Sequence, residues 1–178
     1  MSRTYRLGRR QEAVDQTAQR ILVAAQGLVE ASPSSGLSVG AVARAAGVTR
    51  ATVYNRYGSR TGLLRALAPP RVQEDAGAED PRDAVRTFLG AATAKWAVNP
   101  ALHRNLGVDD HPSETPRRLA ENLAAADALR PGCSLREAED VLTALASFPV
   151  FDRLHKDGRR TPAAVAEILM RLAGGILA

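Results

Sequence analysis

Between positions 49 and 55 the chain carries Thr49, Arg50, Thr52, Tyr54 and Asn55, five hydrogen-bonding side chains in seven residues. On a helix they project from its N-terminal end and outer face, which is what a helix lying in the major groove of DNA presents. No other cluster offers comparable chemistry. His103, His111 and His155 are scattered, with no acidic partner at metal-ligand spacing. Asp109-Asp110-His111 reads as a polar loop, and Cys133, beside Pro131-Gly132, has no activating base nearby. A phosphate-cradling glycine loop and a serine nucleophile elbow are both missing from the sequence. The expectation is a chain with no catalytic residue, no metal and no cofactor.

Charge points the same way as the cluster. Residues 1–68 hold ten arginines against three carboxylates, a net +7, whereas residues 69–178 balance fourteen basic against sixteen acidic side chains, a net −2. A basic module joined to a mildly acidic one places the polyanion contact on the first. Hydrophobic residues make up 45% of the 178 but aromatics only 4%. The apolar content is therefore Ala, Leu and Val, which favours helices. No apolar run is long enough to span a bilayer, and the basic start lacks the apolar segment of a secretory signal. A single cysteine fits a reducing cytoplasm.

The elements that must position the cluster follow from periodicity and caps. Val14, Ala18, Ile21, Leu22, Ala25, Leu28 and Val29 recur at steps of three and four, which predicts an amphipathic helix over 11–31, stopped by Ser32-Pro-Ser-Ser-Gly36. Ser38 can cap a second helix that Gly47 ends. Thr49 can cap a third that runs to Tyr57, and a fourth follows Gly58-Ser59 as far as Ala68. Gly47 suits a sharp turn between two helices, with Val42, Val48 and Val53 filling the wedge and Ala43 small enough for the helices to cross. After Pro69-Pro70, the segment up to residue 80 reads as a linker. Beyond it, Asp80-Pro81, Asn99-Pro100, Thr115-Pro116, Thr161-Pro162 and Ser134-Leu-Arg-Glu137 mark helix starts. They predict helices over 81–98, 100–107, 116–129, 135–156 and 162–177, with Pro149 kinking the fourth of these.

The stretch Leu37-Ser-Val, Val42-Ala43-x-x-Ala46-Gly47-Val48-Thr49, Thr52-Val53-Tyr54-x-x-Tyr57 and Ser59-Arg60-x-x-Leu63-Leu64 resembles the DNA-binding domain of the TetR (tetracycline repressor) family over residues 11–67. The resemblance implies an all-α protein in two parts. Residues 1–68 would be a three-helix helix-turn-helix domain with a basic N-terminal arm, and 69–178 a helical effector-binding and dimerisation domain. It implies that Ser38, Thr49, Arg50, Thr52, Tyr54, Asn55 and Arg60 lie at the DNA. Thr49, Tyr54 and Arg60 would meet phosphates, and Arg50 and Asn55 would read base edges. Three departures stand out. Tyr57 occupies a usual Phe position, so its hydroxyl needs a partner; Gly58 replaces a frequent Pro; and Gly62 lowers helix propensity, which would loosen the fourth helix. Arg3, Arg6, Arg9 and Arg10 read equally well as an arm entering the minor groove and as a solvated tail.

For the second part, the resemblance implies a homodimer through the last two helices and an effector cavity between the earlier ones. Candidates to line it are Phe88, Trp96, His103, Leu106, Phe148 and Phe151, because most of the scarce aromatics fall there. The function expected is a ligand-released repressor on a palindromic operator in double-stranded DNA, with an unidentified small-molecule effector and no membrane. An architectural or adaptor protein without an effector and a small helical enzyme are the alternatives.

Overall fold

The computed structural model describes residues 3–32, 36–68, 80–106 and 113–178, and gives the backbone alone for 3–13. The linker before residue 80 and the loop containing Asp109-Asp110-His111 lie outside the described residues. The elements are α1 (Arg3–Ala31), α2 (Val39–Ala46), α3 (Arg50–Tyr57), α4 (Arg60–Leu67), α5 (Pro81–Val98), α6 (Pro100–Leu106), α7 (Thr115–Ala125), α8 (Leu135–Leu145), α9 (Phe148–Asp152), a π-helical turn (Arg153–Asp157) and α10 (Pro162–Ala173). Among the described residues there is no strand, and no helix is long and apolar enough to cross a membrane.

Two compact units form. The first comprises Met1–Arg71 and Ala101–Gly107, and the second Val72–Pro100 and Val108–Ala178. Residues 101–107, which sequence order assigns to the second domain, thus belong to the first unit. Its core is Ile21, Ala25 and Val29 of α1, Val42, Ala43 and Ala46 of α2, Val53 of α3, Leu63 and Leu64 of α4, and Leu102 of α6. The α1 residues are spaced by four, so they form one buried stripe. The helix begins at Arg3, so the backbone of Arg3, Arg6, Arg9 and Arg10 continues α1. Arginine, leucine and glutamine are good helix formers, which carries the helix back through this segment.

The second unit packs α5 against α7 and α10, and α8 against α7 and α10. Phe88, Leu89, Leu119, Leu123, Leu142, Phe151 and Leu169 form its core. Most of its helix starts follow the expected caps: the side chains of Asp80, Ser134 and Thr161 accept from the N–H groups of Arg82, Glu137 and Ala164. The helix expected over 135–156 is instead broken. Leu145 is the last residue of α8, the Ser147 hydroxyl donates to Ala144 O at 2.7 Å, and α9 starts anew. Pro149 falls in the first turn of α9, where its missing N–H costs no intrahelical bond, so it begins a helix and does not kink one. The helix expected over 116–129 ends at Ala125, because Asp127 turns left-handed (φ 52°) and Ala128 N–H returns to Leu123 O at 2.8 Å. The helix expected to reach 177 stops at Ala173. Gly174 and Gly175 make the turn that lets Arg130 N–H reach Ile176 O and Ala178 N–H reach Ala128 O, each at 2.9 Å.

Leu142 is wholly buried in this second core. Leu142→Ala is expected to cost about 2–5 kcal/mol through the cavity it leaves, read as a lower urea midpoint.

Candidate nucleic-acid interface

The turn between α2 and α3 is built as its residues require. Gly47 takes the left-handed conformation (φ 65°, ψ 38°), and the N–H of Val48 returns to Ala43 O at 2.9 Å. Val42, Ala43 and Val53 are buried in the wedge. Thr49 then caps α3, its Oγ1 accepting from Thr52 N–H at 3.2 Å and lying 2.9 Å from Thr52 Oγ1. That second contact uses one of the pair's two hydroxyl protons, so one is left for an outside acceptor. Ser38 caps α2, accepting from Ala41 N–H at 3.4 Å. Arg50, Tyr54 and Asn55 are exposed, Tyr54 by 49%. A cleft of about 460 Å³ separates α1 from α3, with Thr52, Asn55 and Arg56 on one wall and Val14 and Ile21 on the other. Arg56 pairs with Asp15 of α1 at 3.7 Å, with both side chains well exposed. A pair of this kind contributes little to stability.

The three departures noted in the sequence each have a place in the geometry. The Tyr57 hydroxyl donates to Ala18 O of α1 at 3.3 Å, which supplies the partner it needs. Gly58 (φ 71°, ψ −44°) lets Ser59 N–H bond Tyr57 O two residues back at 2.7 Å, a γ-turn that a proline could not form. A Cβ on Gly62 would collide with the backbone oxygen of Tyr57. This glycine therefore permits the close α3–α4 corner, and α4 is capped by Ser59 accepting from Gly62 N–H at 3.0 Å. Gly62 tightens the corner that propensity alone suggested it would loosen.

Arg60 has a structural role that the sequence did not suggest. Its Nε donates to Leu37 O at 2.9 Å, and its Nη2 donates to Asn105 O at 3.1 Å and Asn105 Oδ1 at 3.3 Å. The guanidinium that the resemblance assigned to a phosphate thus holds the unit together through its Nε and Nη2. Asn105, on α6, also accepts from Leu37 N–H at 3.0 Å through Oδ1 and donates from Nδ2 to Ala101 O at 3.0 Å. Sequence reasoning missed Asn105. It lies 45 residues from Arg60 along the chain, and no local motif marks it.

The candidates for an effector site divide between the units. Phe88, Trp96, Phe148 and Phe151 belong to the second, whereas His103 and Leu106 sit on α6 in the first. Phe88 and Phe151 are core residues. Trp96 donates from Nε1 to Ala146 O at 2.8 Å, meets Phe148 edge-on with centroids 5.6 Å apart, and carries Lys95 Nζ 4.3 Å over its ring. Phe148 leads on to Phe151 at 6.3 Å, and Phe151 stacks on His155 at 5.0 Å. Desolvation first, and the Glu137 carboxylate second, raise the pKa of Cys133, so this thiol is a poor nucleophile at neutral pH. Among the described residues no three of His, Cys, Asp and Glu gather as metal ligands would.

A basic helical unit with a helix-turn-helix, whose second helix is exposed along a hydrogen-bonding face, defines a DNA-binding transcription regulator. The model of the bacterial regulatory proteins, tetR family, matches residues 21–67, the part of the chain that holds this motif. Among solved structures the chain is similar to NalD, the secondary repressor of the MexAB-OprM multidrug efflux pump in Pseudomonas aeruginosa. The identity is 22% and the TM-score 0.63, over 93% of this chain and 98% of that one. It is also similar to HlyIIR, a hemolysin II transcriptional regulator, at 14% identity and TM-score 0.55 over 93% and 99%. At such identities the likeness is one of fold. No curated protein matches the chain.

The position of Arg60 yields a test. Arg60→Ala is expected to destabilise the protein by about 1–3 kcal/mol, because it strands the Leu37 and Asn105 carbonyls. The slope of log affinity against log salt should stay as it is, whereas a lost phosphate contact would reduce it by about 1. Thermal melts and a salt series on one DNA duplex separate the two.

Proposed function

We propose that the protein is a ligand-released repressor that binds a palindromic operator as a homodimer in the cytoplasm. The observation that carries this reading is α3, a capped helix with only Val53 buried and with Arg50, Tyr54 and Asn55 exposed. In the proposed complex Arg50 and Asn55 read base edges. Thr49 and Tyr54 meet phosphates, supported by Ser38 at the start of α2 and by Thr52 behind Thr49. One recognition helix per subunit calls for two half-sites about one helical turn apart, or a multiple of that.

The dimer is assigned to α8 and α10. Each leaves a leucine outside the unit's own core, Leu135 exposed by 49% and Leu172 by 55%, which supports an apolar contact between subunits. Leu169 does not serve that contact, being buried inside the unit at 1% exposure. The effector is assigned to the second unit, among Phe88, Trp96, Phe148 and Phe151. Phe148 is only half-buried, and the break between α8 and α9 lies directly before it. The effector would act by favouring an arrangement whose recognition helices miss the half-site spacing.

Leu172→Asp is expected to give a folded monomer, since the side chain already faces solvent in the single subunit, and to lower operator affinity at least about tenfold. Sedimentation and a binding titration check both, and a dimer of unchanged affinity would place the interface elsewhere. Trp96 is the only tryptophan, so its fluorescence reports on the proposed effector site. A compound that perturbs Trp96 should lower operator affinity by the same factor by which operator lowers its own. If every compound that moves the emission leaves DNA binding unchanged, the architectural alternative is favoured.

A further inference from the structure

Gly40, the second residue of α2, is buried, and what lies on it is Arg50. A Cβ built on Gly40 would stand 2.5 Å from Arg50 Nη2, 2.7 Å from Nε and 2.9 Å from Cζ. The guanidinium therefore occupies the space that any other residue type would fill at position 40. The backbone gives no reason of its own for this glycine. It sits in a regular helix, outside the left-handed region, at a position where glycine is the poorest ordinary helix former. Its use is explained by the group it admits.

We infer that Gly40 is a positioning residue: it forms the seat that holds the Arg50 guanidinium in the orientation from which it reads a base edge. The inference rests on the reading of α3 as the recognition helix and adds the residue that sets its specificity. Arg50 opens α3 and is exposed, so without a seat its long side chain would sample many rotamers, and binding would have to order it. Lying against α2, the side chain is ordered before DNA arrives. A guanidinium is planar and can lie flat on a glycine, whereas a lysine ammonium has no such plane. The seat also predicts that a methyl group is enough to unmake it. The atoms in the way are the far end of a flexible side chain, so Arg50 moves while the backbone of α2 stays.

The experiment begins with selection of preferred sites from a random duplex library by the full-length protein. Binding of the selected site and its single-base variants is then measured for wild type, Gly40→Ala, Arg50→Ala, the double variant and Arg50→Lys. Gly40→Ala is expected to melt at or above the wild-type temperature and yet to bind the selected site about three- to tenfold more weakly. Its base preference should flatten at the same pairs that Arg50→Ala flattens, and it should add no loss in the Arg50→Ala background. Arg50→Lys, which leaves position 40 untouched, should flatten those pairs as well. Unchanged or tighter binding by Gly40→Ala, a loss equal for every sequence, or a full further loss on top of Arg50→Ala would each overturn the seat. A wild type that selects no sequence removes the recognition-helix reading and the seat with it. A wild type whose site Gly40→Ala selects equally well removes the seat alone.

Discussion

Leu37 precedes the α2 cap, belongs to no helix, and is buried, so both its backbone polar groups need partners that no ladder supplies. Asn105 Oδ1 takes its N–H and Arg60 Nε satisfies its carbonyl. A buried backbone group left without a partner costs about 1–3 kcal/mol, so two at one residue would form a weak point in a small unit. The same guanidinium reaches the Asn105 carbonyl near the end of α6, where the last carbonyls of a helix lack intrahelical donors and where a positive charge is favourable. One arginine thus ties together the chain before α2, the start of α4 and the end of α6.

What depends on that tie is the placing of α3. This helix has eight residues and buries only Val53, too little length and too little apolar surface to hold itself. It is held at its two ends. At the first, the left-handed Gly47 and the Thr49 cap fix the angle from α2. At the second, the γ-turn at Gly58 and the bare Cα of Gly62 press α4 against Tyr57. The helices on either side, α2 and α4, are the ones that Arg60 and Leu37 fasten. The exposed face of α3 is therefore carried by a frame of buried polar bonds and tight turns, while its own side chains stay available.

Legibility followed the range of the interaction. Caps and breakers act within four residues, so the starts of α2, α3, α4, α5, α8 and α10 could be read from Ser38, Thr49, Ser59, Asp80, Ser134 and Thr161. The candidate reading helix could be read with them. Where the chain offered two local solutions, reading failed. Pro149 fits a kink inside one long helix and also the first turn of a new one, and a serine hydroxyl at 147 bonding Ala144 decided for the second. Gly62 looked unfavourable because propensity describes an isolated helix and cannot see the Tyr57 carbonyl lying against it. The bond between Arg60 and Asn105 was illegible for a different reason. Their partnership spans 45 residues and joins pieces that sequence order assigns to different domains.

The internal use of Arg60 also changes how the basic charge of the first unit should be understood. Its recorded acceptors are all neutral: two backbone carbonyls and an amide oxygen. Hydrogen bonding to them satisfies the donors and leaves the positive charge in full, only half-buried, among the ten arginines of residues 1–68. Arg56 differs, since Asp15 beside it cancels part of its charge. Arg60 thus adds to the long-range field that draws a polyanion toward the unit while it also holds Leu37 and Asn105 in place. The field comes from all uncompensated arginines, whatever hydrogen bonds each of them makes inside the unit. A count of basic residues measures that field, and only the geometry around Leu37 reveals that one of them is also a structural tie.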